Sequence, residues 1–146
     1  MSGLVVRPAG PDDCPALERL IRQLGYEEGG DDIAARLAPM IEASRLVLVA
    51  EVERQVVGCL STSVMPVLHR PRPVGRISMM VVDEGRRGLG IGAELVRAAE
   101  TALVEMGCGL IEVTSNLART DAHRFYERLG YQKTSVRLSR DCTPSD

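Results

Sequence analysis

Arg86, Arg87, Gly88, Gly90 and Gly92 stand close together in the stretch Ser78–Ala93, SMMVVDEGRRGLGIGA. Glycine lets an anion approach the main chain with no Cβ in the way. A helix that starts in such a loop presents its unbonded first N–H groups at the positive end of its dipole. The guanidinium groups add charge-assisted donors. The chemistry this serves is the binding of a polyanion, most simply a pyrophosphate. Several ligands and one bland alternative remain open. A Walker loop does not fit, because Gly92 is followed by Ala93 and Glu94 rather than by Lys and a hydroxyl residue. A dinucleotide fingerprint does fit, as Gly88-x-Gly90-x-x-Ala93 with Glu112 about 20 residues further on. A glycine-rich turn that only packs a helix on a strand fits as well.

The flanking residues indicate what holds the loop. Met79, Met80, Val81 and Val82 form an apolar run that reads as a buried strand, broken by Asp83, Glu84 and Gly85. Beyond the glycines, Ile91, Leu95, Ala99, Leu103 and Met106 recur at helical spacing, and Gly107 ends that helix. Upstream, Leu4–Arg7 is a short strand ended by Pro8. Asp12 or Asp13 is expected to cap a helix carrying Leu17, Leu20, Ile21 and Leu24. Asp31 or Asp32 is expected to cap a second, carrying Ile33, Leu37, Met40 and Ile41, which Pro39 should kink or end early. Leu46–Val52 and Gln55–Val64 are strands separated only by Glu53 and Arg54, so they form an antiparallel hairpin. Met65–Gly75 holds Pro66, Pro71 and Pro73 and reads as a stiff loop.

Downstream, Leu110–Thr114 is a strand parallel to the one before the long helix, since that helix supplies the crossover. Thr120 or Asp121 is expected to cap a helix through Leu129, closed by Gly130. Thr134, Val136 and Leu138 alternate with Lys133, Ser135 and Arg137, which predicts a last strand over Tyr131–Leu138. The order β-α-α-β-β-β-α-β-α-β describes an α/β fold of mixed α+β character, with helices on both faces of one sheet. One domain is expected over residues 1–140, with a polar tail at 141–146. This order disfavours the dinucleotide reading, because that fingerprint belongs at the first βα turn of repeated βαβ units.

Composition narrows the classes. A chain of 146 residues suits one domain with a real core. A net charge of −2 and 3% aromatic residues argue against a nucleic-acid surface or a base-stacking platform. No apolar run is long enough to span a bilayer, and the first residues do not read as a leader. Cys14, Cys59, Cys108 and Cys142 are scattered, which excludes the usual zinc spacings and a dense disulfide framework and implies a reducing, cytoplasmic setting. His69 and His123 are too far apart to suggest a metal site, so none is expected.

Three segments together resemble the GCN5-related N-acetyltransferase (GNAT) family over nearly the whole chain. Arg87-Gly88-Leu89-Gly90-Ile91-Gly92 follows that family's [Q/R]-x-x-G-x-[G/A]. Ala122-x-x-Phe125-Tyr126-x-x-x-Gly130-Tyr131 follows its A-x-x-F-Y-x-x-x-G-[F/Y]. Arg7-Pro8-Ala9, with Asp12 and Asp13 before the first helix, is the third match. The resemblance implies a mixed central sheet of six to seven strands flanked by about four helices, with a splayed parallel strand pair at the cofactor site. It implies acetyl-CoA as cosubstrate and a small-molecule or peptide amine as acceptor; a homodimer is left open.

By the same resemblance, the amides of Arg87, Gly88, Leu89, Gly90, Ile91, Gly92 and Ala93 hold the CoA pyrophosphate, and the pantetheine arm pairs with backbone at Met80, Val81 and Val82. Phe125 belongs with the cofactor set. Tyr126 is the expected general acid toward the departing thiolate, since a phenol arrives still carrying its proton. The chain departs from the family pattern in two respects. Arg76, Ser78 and Met79 stand where relatives carry a strand carboxylate that serves as base. Arg119 stands where an Asn is common, and would meet a phosphate instead. Glu112, Glu51, His69 and His123 are the remaining candidate bases, each with an ordinary surface or strand role as the simpler description.

Overall fold

The Glu53-Arg54 link forces the chain to reverse within two residues, and both adopt positive φ, 50° and 66°. That is the mirror-image turn whose twist matches a β-hairpin. In the computed structural model it joins β2 (Val47–Val52) to β3 (Gln55–Met65). The structure describes residues 3–25, 32–42, 46–115, 117 and 119–144. β1 (Leu4–Pro8), β2, β3, β4 (Val74–Val82) and β5 (Leu110–Val113) lie side by side in chain order. The first three pairings are antiparallel and the β4–β5 pairing is parallel. The parallel step is possible because α3 (Ile91–Glu105) carries the chain back between those two strands.

Alternation along the strands assigns the two faces. On one face Val47, Val49, Cys59 and Val81 pack with Leu17 and Leu20 of α1 (Cys14–Gln23) and Ile33 and Leu37 of α2 (Ile33–Glu42). On the other, α3 buries Ile91, Leu95, Ala99 and Leu103. Gly58 and Gly75 let α3 come close: a Cβ on Gly75 would lie 2.9 Å from a Leu103 methyl and 3.1 Å from Cys108 Sγ. α2 runs past Pro39 to Glu42 rather than ending there.

Asp13 does not cap α1 through its side chain as expected. Its carboxylate faces backward instead, accepting from the Gly10 N–H at 2.7 Å and from both terminal nitrogens of Arg7 at 2.9 Å. Arg7 also reaches Glu51 at 3.5 Å. The opening motif is therefore a clamp that ties β1 to the entry of α1.

The backbone divides into two compact units, Met1–Val113 and Thr114–Asp146. The first contains the sheet, α1, α2 and α3. The second contains α4 (Thr120–Arg128) and the chain after it. Among the described residues the sheet has five strands, not the six to seven expected. The difference lies at Tyr131–Leu138, which pairs with no strand among the described residues, and whose Val136 and Leu138 are exposed. Alternating residue types state which face a strand would bury. They do not supply the neighbouring strand that its N–H and C=O groups need. Of the expected tail, Asp141–Pro144 is described; it is irregular and exposed.

Candidate active site

β4 changes character along its length. It pairs with β3 from Val74 to Val82, but with β5 only from Val74 to Ile77. From Ser78 onward no described strand lies on its second side. Apart from the Val82 carbonyl, which Arg87 bonds, the backbone groups that point there are open to an extended ligand, since main-chain N–H and C=O groups seek partners wherever they are placed. This is the expected opening between two parallel strands, with β5 ending at Val113 rather than Thr114.

The change coincides with a bulge. Ser61 faces Met79 and Thr62 faces Ile77, so Ser78 is the extra residue. Bulges re-aim side chains and terminate pairing. Ser78 Oγ donates to the Ser61 carbonyl oxygen at 3.2 Å and lies 3.2 Å from Ser61 Oγ.

β4 then runs into the glycine loop. A short 3-10 turn, Glu84–Arg86, is followed by Arg87 in extended conformation. Gly88 and Gly90 have φ of +81° and +83°, and nothing lies within 4 Å of where their Cβ atoms would be. The loop is thus open at the two positions where only glycine is unstrained. Gly90 is the N-cap of α3 and makes no side-chain cap, so the following amides of Ile91, Gly92 and Ala93 remain for a ligand. The Arg87 Nε donates to the Val82 carbonyl at 3.2 Å, which folds this side chain against the end of β4.

Sequence reading missed what anchors the loop. Asp83 accepts from Arg19 and from Gln23 of α1, each at 3.2 Å, and Gln23 Oε1 accepts from the Glu84 N–H at 3.1 Å. Arg19 also donates to the Val56 carbonyl at 3.0 Å. The Gln23 hydrogen bond, with Arg19 beside it, holds the Asp83 carboxyl below its usual range. The signal available was slight: Arg19 and Gln23 are one helical turn apart on a polar face.

The candidate bases are mostly committed elsewhere. Glu112 accepts from Arg76 Nε at 2.8 Å across the β4–β5 pair, and Glu51 belongs to the Arg7 cluster. His69 is exposed in the proline-rich loop. A cleft of about 450 Å³ bounded by Leu4, Val6, Leu89, Gly90, Glu94 and Arg97 opens on the α3 face of the sheet. Its charged rim, Glu94 and Arg97, is ion-paired within α3.

In the second unit, α4 carries Phe125 and Tyr126. Their rings meet edge-on at 5.0 Å, and Tyr126 meets Tyr131 at 5.7 Å in the same manner. The Tyr131 N–H donates to the Tyr126 carbonyl at 3.1 Å, and Gly130, with φ of +99°, makes that return possible. Tyr126 is buried, and burial pushes its phenol up to about 12, against a smaller opposing pull from the Arg119 charge. It therefore holds its proton at neutral pH. Arg119 is the exposed N-cap residue of α4. His123 is half-buried on the same helix.

The chain is 35% identical over 123 residues to an aminoalkylphosphonate N-acetyltransferase of Salmonella typhimurium, covering 84% of this chain and 78% of that one. A Bacillus halodurans protein described as a transcriptional regulator superposes with a TM-score of 0.82 at 27% identity, over 94% of this chain and 99% of that one. The aminoglycoside N-acetyltransferase AAC(6')-Iy, solved with CoA, gives a TM-score of 0.84 over 96% and 95% of the two chains; at 18% identity it speaks to the fold alone. Residues 15–131 match the acetyltransferase (GNAT) family, a span that includes the glycine loop, the one-sided half of β4 and Tyr126, and the chain belongs to that family.

Proposed function

We propose that this chain, acting as one catalytic domain over residues 1–140, moves the acetyl group of acetyl-CoA to the primary amine of a small molecule by direct attack in a ternary complex. The observation that carries this reading is the one-sided stretch of β4, Ser78–Val82, leading without interruption into the open glycine loop. The two fit one ligand with an amide-bearing arm and a pyrophosphate. In this reading the free edge at Met80, Val81 and Val82 bonds the arm. The amides of Arg87–Ala93 take the pyrophosphate, and Arg119 and Phe125 complete the cofactor contacts.

The chemistry follows from the groups present. A neutral amine attacks the thioester carbonyl; a C–N bond forms and the C–S bond breaks. The amine's proton leaves to solvent, and the thiolate takes one from Tyr126, whose raised pKa keeps it protonated until then. Holding the two reactants in line supplies much of the rate. The similarity to an aminoalkylphosphonate N-acetyltransferase supports an acceptor that pairs its amine with a phosphonate.

A second reading is a non-catalytic acyl-CoA-binding module. It is favoured by one observation: β4 offers Arg76, Ser78 and Met79 where a carboxylate base is common in the family, and Arg76 is ion-paired to Glu112. Two measurements separate the readings. Thermal unfolding is followed with CoA, NAD and ATP, since a ligand of the native state raises the transition by mass action. Turnover of acetyl-CoA is followed with aminoalkylphosphonates, an aminoglycoside and a peptide with a free N-terminus. The enzyme reading expects a response to CoA and turnover of at least one amine. A CoA response with no turnover supports the binding module. A response to NAD and none to CoA removes both.

A further inference from the structure

We infer that Gln23, the last residue of α1, is a positioning residue for the pyrophosphate loop, and that α1 thereby sets the affinity for CoA from outside the cofactor contacts. The inference rests on the acetyltransferase reading above and adds to it a side chain of another element that acts through the loop's backbone.

The junction between β4 and the loop is held from two directions. Its main chain extends the β3 pairing by one bond, from the Asp83 N–H to the Val57 carbonyl at 2.7 Å. Its side chain and the next amide are held by α1. Gln23 Nε2 donates to Asp83 Oδ1 at 3.2 Å, and Gln23 Oε1 accepts from the Glu84 N–H at 3.1 Å. Arg19, one turn earlier on α1, donates to Asp83 Oδ2 at 3.2 Å and to the Val56 carbonyl at 3.0 Å. A carboxylate needs a donor and a main-chain N–H needs an acceptor, so only one orientation of the Gln23 amide serves both. The side chain is a bracket that spends its two ends on two adjacent residues. A carboxylate at position 23 would instead face that of Asp83.

Only Gly85 and Arg86 separate the bracket from Arg87, the first amide of the proposed pyrophosphate cradle. Both lie in the 3-10 turn Glu84–Arg86, which the Arg86 N–H closes on the Asp83 carbonyl at 2.8 Å. Bracket and turn together fix the entry of the loop. Beyond them, Gly88, Gly90 and Gly92 have no side chains with which to hold it, and glycine loses more freedom on ordering than any other residue. A loop fixed at its entry has less of that freedom left to lose when a ligand binds, so preorganisation appears as affinity. The pantetheine arm is proposed to bond β4 itself, which β3 holds in place independently of Gln23. The bracket therefore acts on the pyrophosphate end of the ligand and not on the arm.

The test is calorimetric titration of CoA into the wild type, Gln23→Ala, Gln23→Glu and the double variant Gln23→Glu with Asp83→Asn. Steady-state kinetics are added for acetyl-CoA and for acetyl-pantetheine, which lacks the pyrophosphate. The Kd for CoA is expected to rise about five- to twentyfold in Gln23→Ala and in Gln23→Glu, part of the worth of the hydrogen bonds removed. Both kcat at saturating acetyl-CoA and kcat/KM for acetyl-pantetheine should stay within about twofold of wild type. The double variant reverses the bracket's hydrogen bond: an amide at position 83 donates to a carboxylate at position 23, which still accepts from the Glu84 N–H and has Arg19 four residues before it. Its Kd should return to within about threefold of wild type. An unchanged Kd in folded Gln23→Ala overturns the inference alone. So does a loss for acetyl-pantetheine equal to that for acetyl-CoA, or a double variant that binds no better than Gln23→Glu. A wild type that binds no CoA overturns the acetyltransferase reading and this inference with it. The titration decides the matter even where no amine of the panel is turned over.

Discussion

The two halves of β4 have similar residue types and opposite duties. Val74–Ile77 is bonded on both sides, by β3 and by β5, and carries Gly75, on which Leu103 and Cys108 close. Ser78–Val82 is bonded on one side only and leads into a loop whose glycines face open space. A strand satisfied on both edges can only hold a fold together. One satisfied on a single edge still has main-chain donors and acceptors to offer. The bulge at Ser78 marks the boundary between them. Small residues also differ in meaning across it: Gly75 is required by what is near, Gly90 by its backbone angle.

If this division holds, chemistry, binding and stability should separate under mutation. The largest effect is expected for Tyr126→Phe, which keeps the packed ring and removes the acid. Turnover should fall by about 10²–10⁴-fold, with CoA affinity little changed. A wild-type rate across the pH profile would take Tyr126 out of the mechanism. Gly90→Asp places a side chain at φ of +83° and a carboxylate where the pyrophosphate is proposed to sit. CoA affinity should drop by about 100-fold or more, a loss of the size set by a few charge-assisted hydrogen bonds. Calorimetric titration of a folded variant checks this, and an undiminished affinity would move the pyrophosphate elsewhere.

Gly75→Ala should do the reverse. Its Cβ meets a fully buried Leu103, and overpacking of that kind costs about 1–3 kcal/mol. Denaturant unfolding should show the loss, while CoA affinity of the folded protein stays near wild type. A variant that loses CoA binding without losing stability would contradict the division.

The smallest effect concerns the clamp at the start of the sheet. Arg7 and the Gly10 N–H hold the Asp13 carboxyl below its usual 3.8, chiefly through the Arg7 hydrogen bonds. A carboxyl lowered in the folded state contributes stability that is complete above its unfolded pKa and lost as pH falls through the folded one. Stability should therefore be level near neutrality and decline below about pH 4. Asp13→Asn should lower it by about 1–2 kcal/mol at pH 7 and flatten that acid decline. Chemical unfolding at pH 7 and at pH 3 tests both, and an equal acid decline in the variant would assign it to other carboxylates.

Some of this was legible in the residues alone. The glycine loop, the long helix after it, the Glu53-Arg54 hairpin and the apolar faces of α1 and α3 follow from local chemistry. Backbone angles, caps and periodicity are set by neighbours within a few positions. The Phe125-Tyr126 motif was likewise visible as a pattern, and burial later supplied the reason Tyr126 keeps its proton. The capping role of Asp13 was misassigned because its carboxylate is held by Arg7 of β1, an arginine that also reaches Glu51.

Tertiary structure alone decided the rest, and each case involves distance along the chain. Whether β4 has a second neighbour at Ser78 depends on where β5 stops, after an intervening helix. The bulge is a mismatch of register between two strands and has no signature within either. Asp83 is held by Arg19 and Gln23, residues on a helix about 60 positions earlier. Tyr131–Leu138 shows the converse: its alternation is local and real, but a strand needs a partner's hydrogen bonds, and no described strand provides them. Residue types determine what a segment is able to do, and only the folded arrangement determines which of its polar groups are left unspent.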